Sequence, residues 1–149
     1  MLRTPAQMNR RRVKTTTTTA PNLDQLHAIA AHMGVRVAYN PQLPYKGLWV
    51  AERSMIVLRP HLHPVVERCT LAHELGHAAC GHVSTPPAWL HARQEREADQ
   101  YAARLLIPPD AYAAAEFDHG PHPGGIAKEL GVTTHLVEVW RTLNRKDHP

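Results

Sequence analysis

Thr70-Leu71-Ala72-His73-Glu74-Leu75-Gly76-His77 decides how the rest of this chain reads. His73 and His77 are four residues apart, so on a helix their imidazoles share one face and can share one metal ion. Glu74 lies on the same turn, placed to hold and deprotonate a metal-bound water. The flanks are helical too. Pro64 suits a first turn, Val66, Cys69, Leu71 and Leu75 offer apolar contacts, and Gly81 supplies a stop, so a helix is expected over about residues 65–80. Gly76 predicts a thin helix surface where another segment packs.

A histidine pair leaves zinc short of ligands, and the next helical stretch offers one. A helix expected from His91 to Ile107 ends at Pro108-Pro109 and buries Ala98, Tyr101, Ala102, Leu105 and Leu106. It carries Glu95-Arg96-Glu97-Ala98-Asp99, in which Glu95 and Asp99 share a face. Glu95 is therefore expected as the third ligand, with Asp99 accepting the other ring N–H of a ligating histidine. Glu97 is expected to face solvent. His82 and His91 compete with Glu95 for the third place, but neither comes with a carboxylate at helical spacing. Zinc held by two histidines and one carboxylate, with water in the fourth position, is the arrangement of a catalytic site. Glu74 is then a base and not a ligand, and manganese could replace zinc in such a donor set.

Upstream, Asn22 is expected to cap a helix with Gln25 as its reciprocal partner, Leu23 to Met33 follow helical spacing, and Gly34 closes it. Val35–Tyr39 reads as a strand and Asn40–Lys46 as a loop. Leu48–Ala51 and Met55–Leu58 suggest an antiparallel hairpin around Glu52-Arg53-Ser54, with Gly47 at a bend or a close approach. Residues 82–90 read as a loop. Downstream, Asp110 is expected to cap a short helix through Phe117, and His119–Gly125 reads as a turn. Residues 126–143 have the pattern of a helix-turn-helix. The expected fold is α+β, with helices around a small sheet of about three strands. Residues 1–20 read as a basic, threonine-rich flexible leader, residues 21–149 as one domain, and 118–149 as its helix-turn-helix-like part.

Apolar residues make up 43% of the chain, which argues against disorder throughout. The net charge of +4 is misleading, because Arg3, Arg10, Arg11, Arg12 and Lys14 stand without an acid among them and residues 15–149 come to −1. The basic character belongs to the leader, so it is weak support for nucleic-acid binding, and an idle tail is expected there over a phosphate-binding arm. Cys69 and Cys80 are three helical turns apart, too far to pair, which suggests a reducing compartment. With no apolar secretion segment and no run long enough to span a bilayer, a cytoplasmic protein is expected.

The histidine segment, followed by Glu95-Arg96-Glu97-Ala98-Asp99-Gln100-Tyr101-Ala102-Ala103-Arg104-Leu105-Leu106-Ile107-Pro108, resembles the ImmA/IrrE family of zinc peptidases. Residues 22–143 follow that family's order of a helix, a small sheet, the histidine helix and an acidic helix ending in Leu-Leu-x-Pro. The resemblance implies a gluzincin-like site with zinc ligands His73, His77 and Glu95 and general base Glu74. It also implies regulatory proteolysis of a protein substrate, such as a helix-turn-helix repressor of a mobile element or prophage, or a role in the DNA-damage response. An extended substrate is expected to add to the sheet edge, taken as Met55–Leu58. Tyr101 stands where such proteins often have phenylalanine and is read as core. No residue is assigned as oxyanion stabiliser; Tyr45, His82, His91 and His119 are the candidates. The C-terminal helix pair is poor in base-reading side chains, so packing is expected there over DNA contact. The competing functions are a DNA-associated regulator whose metal site senses or stabilises, with little peptidase activity, and a protein-binding partner with a vestigial site.

Overall fold

Asn22 starts the first helix, α1 (Leu23–His32), by mutual capping: its side chain accepts from the Gln25 N–H at 2.8 Å, and the Gln25 side chain accepts from the Asn22 N–H at 2.9 Å. The computed structural model describes residues 19–145, in which α1 is followed by β1 (Arg36–Tyr39), β2 (Gly47–Val50), β3 (Met55–Leu58), α2 (Pro64–Ala79), α3 (Ala88–Leu106), α4 (Pro109–His119), α5 (Pro123–Leu130) and α6 (Thr134–Arg145). The Arg3–Lys14 charges and Thr15–Thr18 lie outside the described residues. The fold is α+β, a three-stranded mixed sheet surrounded by helices. No helix among the described residues is long and apolar enough to cross a membrane.

The hairpin forms as expected, with β2 antiparallel to β3 and Ser54 in the left-handed region at φ 45° closing the turn. The sheet order is β1-β3-β2, however, because β1 pairs with β3 in parallel. This corrects the expectation that Met55–Leu58 is an open edge. β3 is the central strand, with Ile56 and Leu58 fully buried, and β2 is the edge that runs past the histidine helix.

Three helix boundaries also differ. α3 starts at Ala88, before His91, because the Pro87 carbonyl accepts the first-turn N–H groups of Leu90 and His91, both at 2.9 Å. Pro108, not Asp110, precedes α4; its carbonyl accepts from Tyr112, while the Asp110 carboxylate meets only the Ala111 N–H. Pro123 opens α5, so Pro123-Gly124-Gly125 is helix and not turn. Gly125 allows this by passing the His119 side chain, which an added Cβ would meet at 3.2 Å.

The core is built on α2, which packs on α1, α3, β2 and β3 and buries Cys69, Leu71, Ala72 and Leu75. Arg68 ties both ends of the domain to it. Its guanidinium donates to the Pro21 carbonyl at 2.9 Å and to the Gly131 carbonyl at 2.8 Å. The α5–α6 pair has the expected helix-turn-helix pattern, and its apolar residues Ile126, Ala127, Val132, Leu136 and Val137 are buried in the common core. Arg141 is engaged within the fold by Tyr112 Oη and the Pro121 carbonyl. Cys69 is buried, Cys80 exposed, and both are free.

Gly76 is where α2 and α3 come closest. A Cβ there would lie 2.8 Å from the Ala98 carbonyl oxygen and 2.9 Å from its Cα, both main-chain atoms that no rotamer change can move. Gly76→Ala is therefore expected to destabilise the protein by about 1–3 kcal/mol, as overpacking does, despite the gain of about 1 kcal/mol in helix propensity. Urea unfolding checks this; an unchanged or raised midpoint would mean that the helices part freely.

Candidate metal centre

α2 presents His73 and His77 towards α3, and α3 answers with Glu95. His73 Nε2 and His77 Nε2 are 3.1 Å apart, and the Glu95 carboxylate oxygens lie 3.1 Å from the first and 3.0 Å from the second. A tetrahedral zinc ion with bonds of ~2.0–2.1 Å sets its ligand atoms about 3.3 Å apart. The two contacts use different oxygens of Glu95, so the carboxylate spans the histidine pair; one ligand atom from each residue lies within 4.8 Å of the others, and a small divalent ion would draw them closer to those edge lengths. Of the two competitors for the third place, His91 lines the cleft and His82 lies behind His77.

The other ring nitrogens are also accounted for. His73 Nδ1 is 2.8 Å from one Asp99 oxygen, and the second Asp99 oxygen is 2.7 Å from His135 Nε2 of α6. His77 Nδ1 is 2.9 Å from His82 Nδ1, and His82 Nε2 is 2.9 Å from Glu97 Oε2, whose other oxygen takes the Arg93 guanidinium at 2.9 Å. If His77 binds a metal through Nε2, its proton sits on Nδ1 and is donated to His82, which then holds its own proton on Nε2 for Glu97. Two carboxylates therefore back the two histidines, Asp99 directly and Glu97 through a ring. Glu97 is only half-exposed, so the expectation that it simply faces solvent is corrected.

His82 was legible as a competing ligand but not in this place, and the missed signal is local. Gly81, at φ +66°, turns the chain back so that the Gly81 N–H bonds the Ala78 carbonyl and the His82 N–H bonds the His77 carbonyl at 3.0 Å. That pair of bonds is a Schellman closure, which brings the residue after the glycine against the residue five before it. The Trp49 indole N–H fixes the same turn by donating to the His82 carbonyl at 3.0 Å.

Electrostatics follow from this crowding. Burial by itself would lower the His73 pKa, but hydrogen bonds to Asp99 and Glu95 and the charges of Glu74 and Glu95 raise it to about 10. Hydrogen bonds from His73 and His77 hold Glu95 far below the usual carboxylate range. Burial works against the Asp99 carboxylate too, yet hydrogen bonds from His73 and His135 keep its pKa low. Glu74 is different: burial pushes its pKa up, against the pull of His73 and His77. It is 6% exposed, yet its side chain lines the cleft with both histidines.

That cleft runs between β2 and the turn after α2 and is walled by Gly47, Trp49, Val83, Ser84 and Gln94. Gly47 is a close approach, as expected: a Cβ would lie 2.7 Å from Thr70 Cγ2 and 3.0 Å from Glu74 Cγ. Ser84 Oγ joins the walls, accepting from the Ala51 N–H at 2.8 Å and donating to Glu52 at 2.9 Å. With its amide oriented to match, Gln94 pairs both main-chain groups of Val83 at 3.2 Å. Of the oxyanion candidates, Tyr45 and His91 line the cleft, His82 stands behind His77, and His119 is paired with Glu129 between α4 and α5.

Residues 28–139 match the IrrE N-terminal-like domain of the M78 peptidases. The chain belongs to that family. No curated protein matches it. Membership of a peptidase family and a His/His/Glu cluster able to hold a divalent ion together make this a metalloenzyme in general character.

Two outcomes are expected. Replacing either Asp99 or His82 by Ala should lower metal affinity roughly 10–100-fold, the usual loss when the partner of a ligating histidine is removed; equal affinity in a chelator competition would deny them that part. Because His73 titrates near 10 without metal, binding at neutral pH must displace its proton. Affinity should then rise about tenfold per pH unit from about pH 7.5 to 9, with about one proton released per ion. Calorimetry in buffers of different ionisation enthalpy measures the release, and pH-independent binding without it would contradict the assignment.

Proposed function

We propose that this chain is a zinc-dependent endopeptidase of gluzincin type, with His73, His77 and Glu95 as ligands and Glu74 as general base. The observation that carries the reading is the convergence of His73 Nε2, His77 Nε2 and the Glu95 carboxylate on one point, with a buried carboxylate of raised pKa beside them. When bound, the metal supplies Lewis acidity that acidifies a water and polarises the scissile carbonyl. Glu74 takes the water's proton as the oxygen attacks the carbonyl carbon, then gives it to the leaving amine as the C–N bond breaks. A raised pKa suits both halves of that task, since the group must gain and lose a proton near neutrality. Asp99, and Glu97 through His82, hold the two rings in the tautomer that ligation needs. Tyr45 and His91, which line the cleft, are the remaining candidates for stabilising the oxyanion.

The substrate enters extended and adds to the β2 edge, which lines the cleft. Exposed Tyr45 and Val83 flank its path and favour apolar side chains in the bound segment. With the cleft open at a sheet edge rather than sunk in a deep pocket, specificity falls on the partner protein's own structure. That supports a narrow target, which we take to be a helix-turn-helix repressor of a mobile element or stress response. A cytoplasmic location goes with such a substrate and with the two free thiols.

The test pairs metal analysis with cleavage of a co-encoded repressor by the intact chain and its Glu74→Gln form. One zinc per chain in both is expected, with cleavage at least about 10²-fold slower in the variant. Equal cutting by both would remove Glu74 from the mechanism, and absence of metal from both would remove the ligand set. Metal in both with no cutting would point to a regulator that uses the site without hydrolysis.

A further inference from the structure

We propose that Cys80, His82 and Glu97 form a second metal site for a zinc-like divalent ion. Cys80 Sγ, a ring nitrogen of His82 and a Glu97 carboxylate oxygen lie within 4.8 Å of one another. Thiolate, imidazole and carboxylate together are a donor set for zinc or a similar borderline-soft ion. His82 is nearly fully buried and fixed by the turn that follows α2, whereas Cys80 is exposed and Glu97 half-exposed. An ion can therefore enter from solvent onto one rigid ligand, with two surface side chains closing on it by less than the length of a bond. Arg93 occupies only Oε1 of Glu97 and leaves Oε2 to the site.

The second site shares a ring contact with the first. His77 Nδ1 and His82 Nδ1 are 2.9 Å apart, and an ion on each Nε2 leaves each ring with its proton on Nδ1, so the two rings part when both sites are filled. The proton released to solvent on filling the second site comes from the Cys80 thiol.

Cobalt(II) titration of the metal-free full chain tests the site without any reference to activity. A His/His/Glu centre has no sulfur ligand and gives no thiolate-to-cobalt charge-transfer band. Such a near-ultraviolet band is expected to grow after the first equivalent, to vanish in Cys80→Ser and to persist in Cys69→Ser, with unchanged circular dichroism in both. Glu97→Gln should weaken it. No band at several equivalents, or a band that survives Cys80→Ser, overturns the site.

Discussion

The close passage of α2 over α3 at Gly76 and Ala98 is the contact on which the rest depends. With only hydrogen on Gly76, the two backbones touch, and the side chains a few residues either side face each other at bonding distance. His73 and His77 then stand opposite Glu95, with Asp99 one turn further along α3. Any larger residue at position 76 would push the acidic helix away by a fraction of an ångström or more, which is comparable to the tolerance of a metal centre. Gly47 does the same for β2, letting the edge strand run against Thr70 and Glu74. Two missing side chains thus let α3 and β2 close on α2.

Charge is the second organising constraint. Two imidazoles meet carboxylates of Glu74, Glu95 and Asp99, with Glu97 one ring behind, and the groups respond in opposite directions. Glu95 and Asp99 are held ionised by histidine, while burial works to neutralise Glu74. Such a split between neighbouring carboxyl groups separates those suited to holding a cation from one suited to exchanging a proton. The C-terminal helices belong to the same system: α6 packs on α3, and His135 takes the Asp99 oxygen that His73 leaves free. A segment whose pattern suggests DNA reading is in this chain part of the support for the histidines.

Much of this was legible in one dimension because the determinants are local. The capping of α1 by Asn22 and Gln25, the span of α2 from Pro64 to Gly81, and the i, i+4 pairs His73/His77 and Glu95/Asp99 are all fixed by helical periodicity and by residues with special backbone preferences. The three helix starts misplaced around prolines have one cause. Pro87 and Pro108 stand just before α3 and α4 and begin them with their carbonyls, and Pro123 opens α5, where its missing N–H costs nothing. The position of His82 was also within reach, since Gly81 as a left-handed stop folds the next residue back onto His77.

The sequence by itself determined an α+β chain with His73, Glu74 and His77 on one helix and Glu95 and Asp99 on one face of the next. It also places the excess of positive charge at Arg3, Arg10, Arg11, Arg12 and Lys14. Only the tertiary structure decided that β3 is the centre of the sheet and β2 its edge, because parallel pairing of β1 with β3 depends on how the loop from Asn40 to Lys46 and the hairpin fold over α2. It alone decided that Glu97 backs His82 and that His135 backs Asp99, contacts between residues 15 and 36 apart in the chain. Periodicity states which face of a helix a residue occupies. Which other residue meets it there is fixed by the packing of one element on another.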